Sequence, residues 1–398
     1  MFYKDDMKEM IVVTKGFKYR IYPDEFQKQQ MEQTFGNTRF VYNYFLDLRS
    51  KEWKQSRKTV SYNKTSSLLT DLKKMDEYAW LSLCDSMALQ ESLRDLDRAF
   101  RYFFKKNNDH PRFHSKHDKQ SYRTRNQNNN IRIEGNKIVL PKIGEVKMRL
   151  SRDIKGRILN ATVSRTKTGK YYVSLCCEYE EELKTNSGGV IGIDVGLKEF
   201  YTASNGVIID NPKYLNRYTK KLLKEQRKLS RMIEMNIDHY TGNKIPVYKK
   251  PLNECKNIQK QRLKVAKIYE RISDSRSDFL HKESTRLVKE NQIIAIEDLN
   301  VRGMISNHKL ARSISDVSWS EFYKLLEYKA REYGSSVIKV PRFYASSQTC
   351  HICGYKDISV KDLKIRNWTC PVCGTVHGRD HNAAINIKNE ALRITASA

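Results

Sequence analysis

The sequence predicts an α/β multidomain protein, with an N-terminal β-barrel interrupted by helices, followed by a larger α/β core that carries an inserted cysteine ribbon. Three observations carry that expectation. Short alternating strands flank a long stretch of helical periodicity in the first half. Apolar β-branched strands alternate with long helices in the second. Two C-x-x-C pairs stand near the C-terminus.

A chain of 398 residues can hold two to four domains and at least one substantial core. Its 74 lysines and arginines face 46 acids, a formal charge of +28. Such an excess repels itself in the compact state, and a polyanionic partner accounts for it. A membrane surface is the other polyanion, but no run of about 18 apolar residues exists, so no membrane partner is expected. Met1 to Met10 is charged and lacks the apolar core of a signal peptide. The expected setting is the cytosol or the nucleoid.

Residues 11 to 22 alternate, with Phe17, Tyr19 and Ile21 opposite Lys18, Arg20 and Tyr22, so a strand is expected. Pro23-Asp24 opens a helix, with Asp24 and Gln27 spaced as a capping box. A second helix is expected after Gly36-Asn37, carrying Phe40, Val41, Tyr44, Phe45 and Trp53. A third runs from about Ser86 to Lys105 on Leu89, Leu93, Leu96, Phe100 and Phe103, an aromatic stripe better read as core than as a base-stacking platform. Residues 107 to 130 lose that periodicity. His110-Pro111-Arg112-Phe113-His114-Ser115-Lys116 and Ser121-Tyr122-Arg123-Thr124-Arg125 suit either phosphate contact with some base stacking or an ordinary solvated loop. Strands return at Asn130 to Ile133, Lys137 to Leu140, Glu145 to Leu150, Ala161 to Thr166 and Tyr171 to Glu178. The barrel thus takes residues 1–23 and 118–186, and the helical lobe 24–117.

After a polar linker, Val190-Ile191-Gly192-Ile193-Asp194 reads as a buried strand that delivers Asp194 to its end. A hairpin follows, Glu199 to Ala203 and Val207 to Ile209 around Ser204-Asn205-Gly206. Two long helices come next, about Tyr214 to Met235 and Asn257 to Glu290, with Val265, Ile268, Ile272 and Phe279 in register. Arg217, Lys220, Lys221, Lys224, Arg227, Lys228 and Arg231, then Lys260, Arg262, Lys264, Lys267 and Arg271, cover the rest. A solvated face is the ordinary reading, but the scarcity of acids there favours a phosphate track. The run Ile293 to Ile296 ends at Glu297, and Leu299 to Met304 reads as a loop. Ser318-Trp319-Ser320-Glu321 spells a capping box for a helix that stops at Gly334, and Ser336 to Val340 is a strand. Asp380 opens an amphipathic helix whose Ala383, Ala384 and Ile387 share a face. This order, strand-hairpin, helices, strand, helix, strand, cysteine insert, helix, is RNase H-like. The core takes residues 187–344 and 379–398, and the ribbon 345–378.

Any one of Asp194, Glu297 and Asp380 alone reads as a helix cap or a lysine partner. Brought together, their repulsion would demand a hard cation, magnesium or manganese. Two such ions suit a phosphodiester displacement. Cys350, Cys353, Cys370 and Cys373, with sixteen residues between the pairs, fit a four-thiolate zinc site, and Gly354 and Gly374 allow the knuckle turns. Cys84, Cys176, Cys177 and Cys255 are scattered and read as small or indifferent residues. No Ser-His-Asp or cysteine nucleophile arrangement competes.

Ile191-Gly192-Ile193-Asp194-Val195-Gly196-Leu197, Ile296-Glu297-Asp298-Leu299, the four-cysteine ribbon and Gly378-Arg379-Asp380-His381-Asn382-Ala383-Ala384-Ile385-Asn386-Ile387 together resemble the TnpB family of bacterial insertion sequences. Thr38 to Asn43, Pro111-Arg112-Phe113 and Ser277 to Lys282 extend the resemblance over nearly the whole chain. It implies a transposon-encoded RNA-guided endonuclease, similar to compact type V CRISPR effectors. The guide RNA comes from the transposon end, and a target-adjacent motif is read on double-stranded DNA. A RuvC site of Asp194, Glu297 and Asp380 then cuts with magnesium or manganese. By the same resemblance the zinc ribbon is structural, the barrel is the wedge domain and the helices are the recognition lobe. A monomer in the ribonucleoprotein is expected. Three readings compete: a guide-independent RuvC-like nuclease, a zinc-ribbon DNA-binding accessory or repressor, and a CRISPR-array effector.

Overall fold

The computed structural model describes residues 10–397, so the expectation about the charged N-terminal residues lies outside the described residues. The chain forms two compact units that divide near Glu181.

The first unit opens with β1 (Met10–Tyr22), followed by α1 (Glu25–Ser56), α2 (Tyr62–Leu72) and α3 (Ser86–Phe104). Six strands complete it: β2 (Gln120–Arg125), β3 (Arg132–Glu134), β4 (Lys137–Leu140), β5 (Gly144–Arg149), β6 (Arg157–Arg165) and β7 (Tyr171–Glu182). They form one sheet in the order β2-β6-β7-β1-β5-β4-β3. Tyr122, Tyr19, Ile138, Val146 and Val163 share one core, which curls the sheet, while Met31 and Phe35 of α1 and Ala88 of α3 plug it. The expected barrel is thus realised as a half-barrel with β2 and β3 at its edges.

Asp24 closes the capping box, Gln27 N–H donating to Asp24 Oδ1 at 2.8 Å and Asp24 N–H to Gln27 Oε1 at 3.1 Å. The expected helix break at Gly36-Asn37 is not there. Helix α1 runs through it, because Asn37 and Thr38 are buried and Ser92 Oγ of α3 donates to Thr38 O at 2.6 Å. Packing outweighs the roughly 1 kcal/mol cost of an interior glycine. A second core of Val41, Phe45, Leu46, Leu69, Leu89, Leu93 and Leu96 takes up the stripe of α3, with Phe100 packed against it.

Ser121 to Arg125, expected to be loop, is β2. Tyr122 and Thr124 pair with Val163 and Ala161 of β6 and point inward. On the opposite face, Arg123 and Arg125 pair with the buried Glu91 of α3, at 3.0 and 2.5 Å. These cations are therefore engaged within the unit.

The second unit begins with β8 (Gly189–Val195), β9 (Glu199–Ala203) and β10 (Ile208–Asp210). Then come α4 (Tyr214–Glu234), a hairpin of β11 (Ile237–Tyr240) and β12 (Pro246–Tyr248), and α5 (Lys256–Glu290). After β13 (Asn291–Glu297) follow α6 (Val301–Ile305), α7 (His308–Val317), α8 (Trp319–Glu332) and β14 (Ser336–Val340). The ribbon carries β15 (Asn367–Thr369) and β16 (Val376–Gly378), and α9 (Arg379–Ala396) ends the chain as described. Sheet order is β10-β9-β8-β13-β14, with β8, β13 and β14 parallel and β9 and β10 antiparallel. That is the RNase H-like arrangement.

Two local expectations fail here. Leu299 to Met304 is not a loop, since Asn300 caps α6 by accepting from Gly303 N–H at 3.0 Å, and Asn307 caps α7 in the same way. The capping box at Ser318 does not form. Ser318 alone joins α7 to α8, which forces it to φ +59°, and its hydroxyl turns back to donate to Ser315 O at 2.9 Å.

Helices α5, α7 and α8 cover one face of the sheet, where Ile191, Ile193, Ile294 and Ile296 meet Leu280, Leu287, Phe322 and Leu326. Helix α9 covers the other, with Ile387 and Ala391 on Ala295 and Val340. A Cβ at Gly192 would lie 2.2 Å from Ala384 O, so only glycine admits α9 this close.

Candidate active site and cysteine centre

Strand alternation decides where the acids point. Ile191 and Ile193 face one core, so Gly192 and Asp194 face α9; Ile294 and Ile296 do likewise, so Ala295 and Glu297 face α9. Parallel β8 and β13 run with Ile193 beside Ile296, so Asp194 and Glu297 leave adjacent strand ends together. Asp380 stands in the first turn of α9, where the helix dipole favours an acid.

All three predicted acids are thus brought into one electrostatic neighbourhood. Burial, then the charges of Glu297 and Asp380, push the Asp194 carboxyl well above the usual range, against the pull of Arg379 and Arg366. Glu297 Oε1 accepts from Ser346 Oγ at 2.7 Å. Arg366 reaches Asp380 at 3.5 Å, and Arg379 is turned away to donate to Asp362 O at 2.6 Å. Asp298 is committed to Arg342, at 2.7 Å. Among the described residues, the four cysteines are the group whose donor atoms all lie within 4.8 Å of one another; the three acids are not gathered that closely. Oxygen donors whose charges raise a neighbour's proton affinity fit a hard divalent cation.

Sequence reasoning missed Ser346, Arg366 and Tyr323. The first two carry no local signal, Ser346 lying in an irregular segment just before the first cysteine pair and Arg366 in one between the two pairs. Tyr323 of α8 was indistinguishable from core. Its hydroxyl is buried without a hydrogen-bond partner, and burial, then Glu297 and Asp194, drive its pKa upward.

The four cysteines meet as their spacing predicts. Cys350 and Cys373 sulfurs lie 3.6 Å apart and Cys353 and Cys370 3.5 Å apart, close to the roughly 3.8 Å edge of a tetrahedron with zinc–sulfur bonds of about 2.3 Å. Each pair folds the same knuckle. Cys350 N–H donates to Tyr355 O and Gly354 N–H to Cys350 O; Cys370 and Gly374 repeat both bonds with Thr375 O and Cys370 O. Gly354 and Gly374 adopt φ +75° and +70°, as such turns require. The Thr375 hydroxyl, foremost, holds the Cys373 thiol down, whereas Cys353 in the same group of sulfurs is pushed up, so the proton affinities of the four thiols are divided among them. This donor set fits zinc.

Helices α4 and α5 pack through Leu222, Ile268 and Ile272. Lys220, Lys221, Lys224, Arg227, Lys228, Lys260, Arg262, Lys264, Lys267 and Arg271 are exposed along them. Glu225 is held low by its bond from Gln261 and by Lys264, Lys228 and Lys224. No helix among the described residues is long and apolar enough to cross a membrane.

Three family models match the chain: "Helix-turn-helix domain" over residues 10–58, "Probable transposase" over 174–308 and "Cas12f1-like, TNB domain" over 319–387. In this chain residues 10–58 hold a strand and one unbroken helix rather than two helices and a turn. A Streptomyces pristinaespiralis protein named "Putative RNA-guided DNA endonuclease" is 38% identical over 387 residues, spanning 96% of this chain and 91% of its own. The Escherichia coli K12 protein named "Putative RNA-guided DNA endonuclease InsQ" is 32% identical over 391 residues, 94% of this chain and 91% of its own. The fold matches that of Cas12f1, solved with single guide RNA and target DNA. The TM-score is 0.57 at 14% identity, covering 95% of this chain and 99% of that one.

Proposed function

Because the chain belongs to the TnpB family of IS605-type transposases, we propose that it is the RNA-guided DNA endonuclease of a transposable element. The guide derives from the transposon end, and double-stranded DNA is cut beside a short target-adjacent motif. Asp194, Glu297 and Asp380 form its RuvC catalytic set. The single observation that carries this reading is geometric: Asp194 and Glu297 leave adjacent parallel strand ends on the sheet face that α9 covers, and Asp380 stands in the first turn of that helix.

Asp194 and Glu297 face the backbone of the nucleic acid from adjacent strand ends, and Asp380 closes the third side from the start of α9. The three would hold magnesium or manganese, which supplies water activation and charge stabilisation at the attacking and leaving oxygens. Ser346 holds Glu297 by one oxygen and leaves the other free. Arg366, exposed and salt-bridged to Asp380, is placed to neutralise an incoming phosphate. Cys350, Cys353, Cys370 and Cys373 hold a structural zinc. The half-barrel of β1 to β7 serves as the wedge, the helices α1 to α3 as the recognition lobe, and the basic face of α4 and α5 as a phosphate track. The protein works as a monomer in its ribonucleoprotein, in the bacterial cytosol. Sequence reading rests with base pairing, so the protein supplies shape and phosphate complementarity.

The test is cleavage by the purified ribonucleoprotein. Asp194→Ala, Glu297→Ala and Asp380→Ala each abolish cutting of a matched duplex while guide RNA still co-purifies. Cutting retained by all three overturns the site. Absence of a discrete co-purifying RNA favours a guide-independent nuclease.

A further inference from the structure

We propose that Ser346 is a positioning residue that sets the orientation of the Glu297 carboxylate, and that Asn386 and Asn382 of α9 hold Ser346 in place for it. The proposal rests on reading Glu297 as a metal-binding carboxylate, and deepens that reading.

Ser346 lies in the irregular segment between β14 and the first cysteine and is 6% exposed. Its Oγ donates to Glu297 Oε1 at 2.7 Å. Its backbone carbonyl accepts from Asn386 Nδ2 at 2.8 Å and, at the limit of a hydrogen bond, from Asn382 Nδ2 at 3.5 Å. The same two amides donate to Thr349 O, at 2.6 and 2.8 Å. Asn382 Oδ1 accepts from the His351 backbone N–H at 3.1 Å and lies 2.9 Å from His351 Nδ1. Both asparagines are buried. A buried ladder therefore runs from the residue after Cys350, through two amides on the helix that also supplies Asp380, to the hydroxyl on Glu297.

The chemistry of each rung is specific. A carboxylate turns easily about its last torsion, which is broad and roughly two-fold. One donor on Oε1 fixes that torsion and leaves Oε2 to ligate. A serine hydroxyl can accept as well as donate, but a carboxylate oxygen only accepts, so the direction of the bond is set. The serine itself is held through its main chain, so its side chain remains committed to Glu297. Buried amides that bridge two carbonyls are costly to remove, because the carbonyls lose their partners. Groups that orient a metal ligand in this way typically change metal affinity or activity by about 10 to 100-fold when removed.

The experiment uses the full chain. Manganese binding is measured by electron paramagnetic resonance on the RNA-free protein, with Asp194→Ala as the blank. The manganese concentration for half-maximal cleavage is measured on the ribonucleoprotein. Ser346→Ala raises both by about 10-fold or more, with zinc content and melting temperature kept. Asn386→Ala gives a smaller shift in the same direction. If Ser346→Ala melts early or loses zinc, the near-isosteric pair Ser346→Thr and Ser346→Val replaces it; threonine, which keeps the hydroxyl, stays near wild type and valine shifts. Unchanged manganese binding in Ser346→Ala, or equal behaviour of threonine and valine, overturns the proposal. Should Glu297→Ala bind manganese and cut as wild type does, the reading of the site itself fails, which is a distinct result.

Discussion

The cysteine ribbon and the carboxylate centre lie in one unit and are tied to the same helix, α9, yet they are built by opposite routes. In the ribbon, each pair of ligands is separated by two residues and closed by its own backbone bonds and a left-handed glycine. In the carboxylate centre, the acids come from residues 194, 297 and 380, and nothing local draws them together. Sheet register and the close seat of α9 on Gly192 do it instead. The ribbon gathers donors that become tractable as thiolates. The acid centre buries a carboxyl and sets like charges near it, and burial first, then Glu297 and Asp380, raise Asp194. A folded protein tolerates such a cluster where function needs it.

Perturbing each centre in turn sharpens that contrast. The largest effect is on chemistry: Asp194→Ala lowers the cleavage rate by about a thousandfold or more, equivalent to about 4 kcal/mol of lost transition-state stabilisation, read in a single-turnover assay. Next comes the ribbon. Chelation or Cys350→Ser lowers thermal stability and releases zinc before it affects the metal requirement of cutting, because structural zinc contributes folding free energy directly. Melting curves paired with elemental analysis check this, and an unchanged melting curve would break the contrast.

Gly192→Ala strikes the seat of α9, the helix to which both centres are tied. A methyl group 2.2 Å from a backbone carbonyl cannot be absorbed by a rotamer change, so α9 must lift. The expected loss is about 3 kcal/mol, read by chemical denaturation. Asp194→Asn moves the other way in divalent-free buffer. The folded protein binds the Asp194 proton more tightly than the unfolded chain does. Stability therefore falls as pH rises from the ordinary carboxylate range through the elevated value. The amide removes that slope and raises neutral-pH stability by about 1 to 3 kcal/mol, while cutting is lost. Melts across pH test it, and a steeper slope in the variant contradicts it. The smallest effect belongs to Tyr323→Phe. Its hydroxyl is buried and unpartnered, so removal raises stability by about 1 kcal/mol. A loss of stability there would show that the hydroxyl serves the site.

Much of this was legible in the chain. Alternation gave β1, apolar β-branched runs gave β8 and β13, the Asp24 capping box formed as spaced, and the C-x-x-C pairs met with their glycines in the expected turns. The misses share a cause. Gly36 looked like a break because local propensity ignores the buried amide and threonine that α3 packs against. The segment of Tyr122 and Thr124 reads as phosphate contact or solvated loop because of its basic, aromatic mixture, but Arg123 and Arg125 pair with Glu91 and Asp95 of α3, residues distant in sequence. Ser318 failed as a cap because one residue had to join two helices. The half-barrel stayed open because pairing at its edges depends on strand lengths that periodicity does not fix.

The sequence by itself determined the elements whose information is local: hydrophobic period, ligand spacing, glycines at left-handed turns and the overwhelming positive charge. Only the tertiary structure decided that Ser346 would hold Glu297, that Arg366 would reach Asp380, and that Asp194 would bear the charge of two distant acids. Electrostatic and hydrogen-bond partners are chosen by distance through space. Here that distance was fixed by how one helix settles on one glycine.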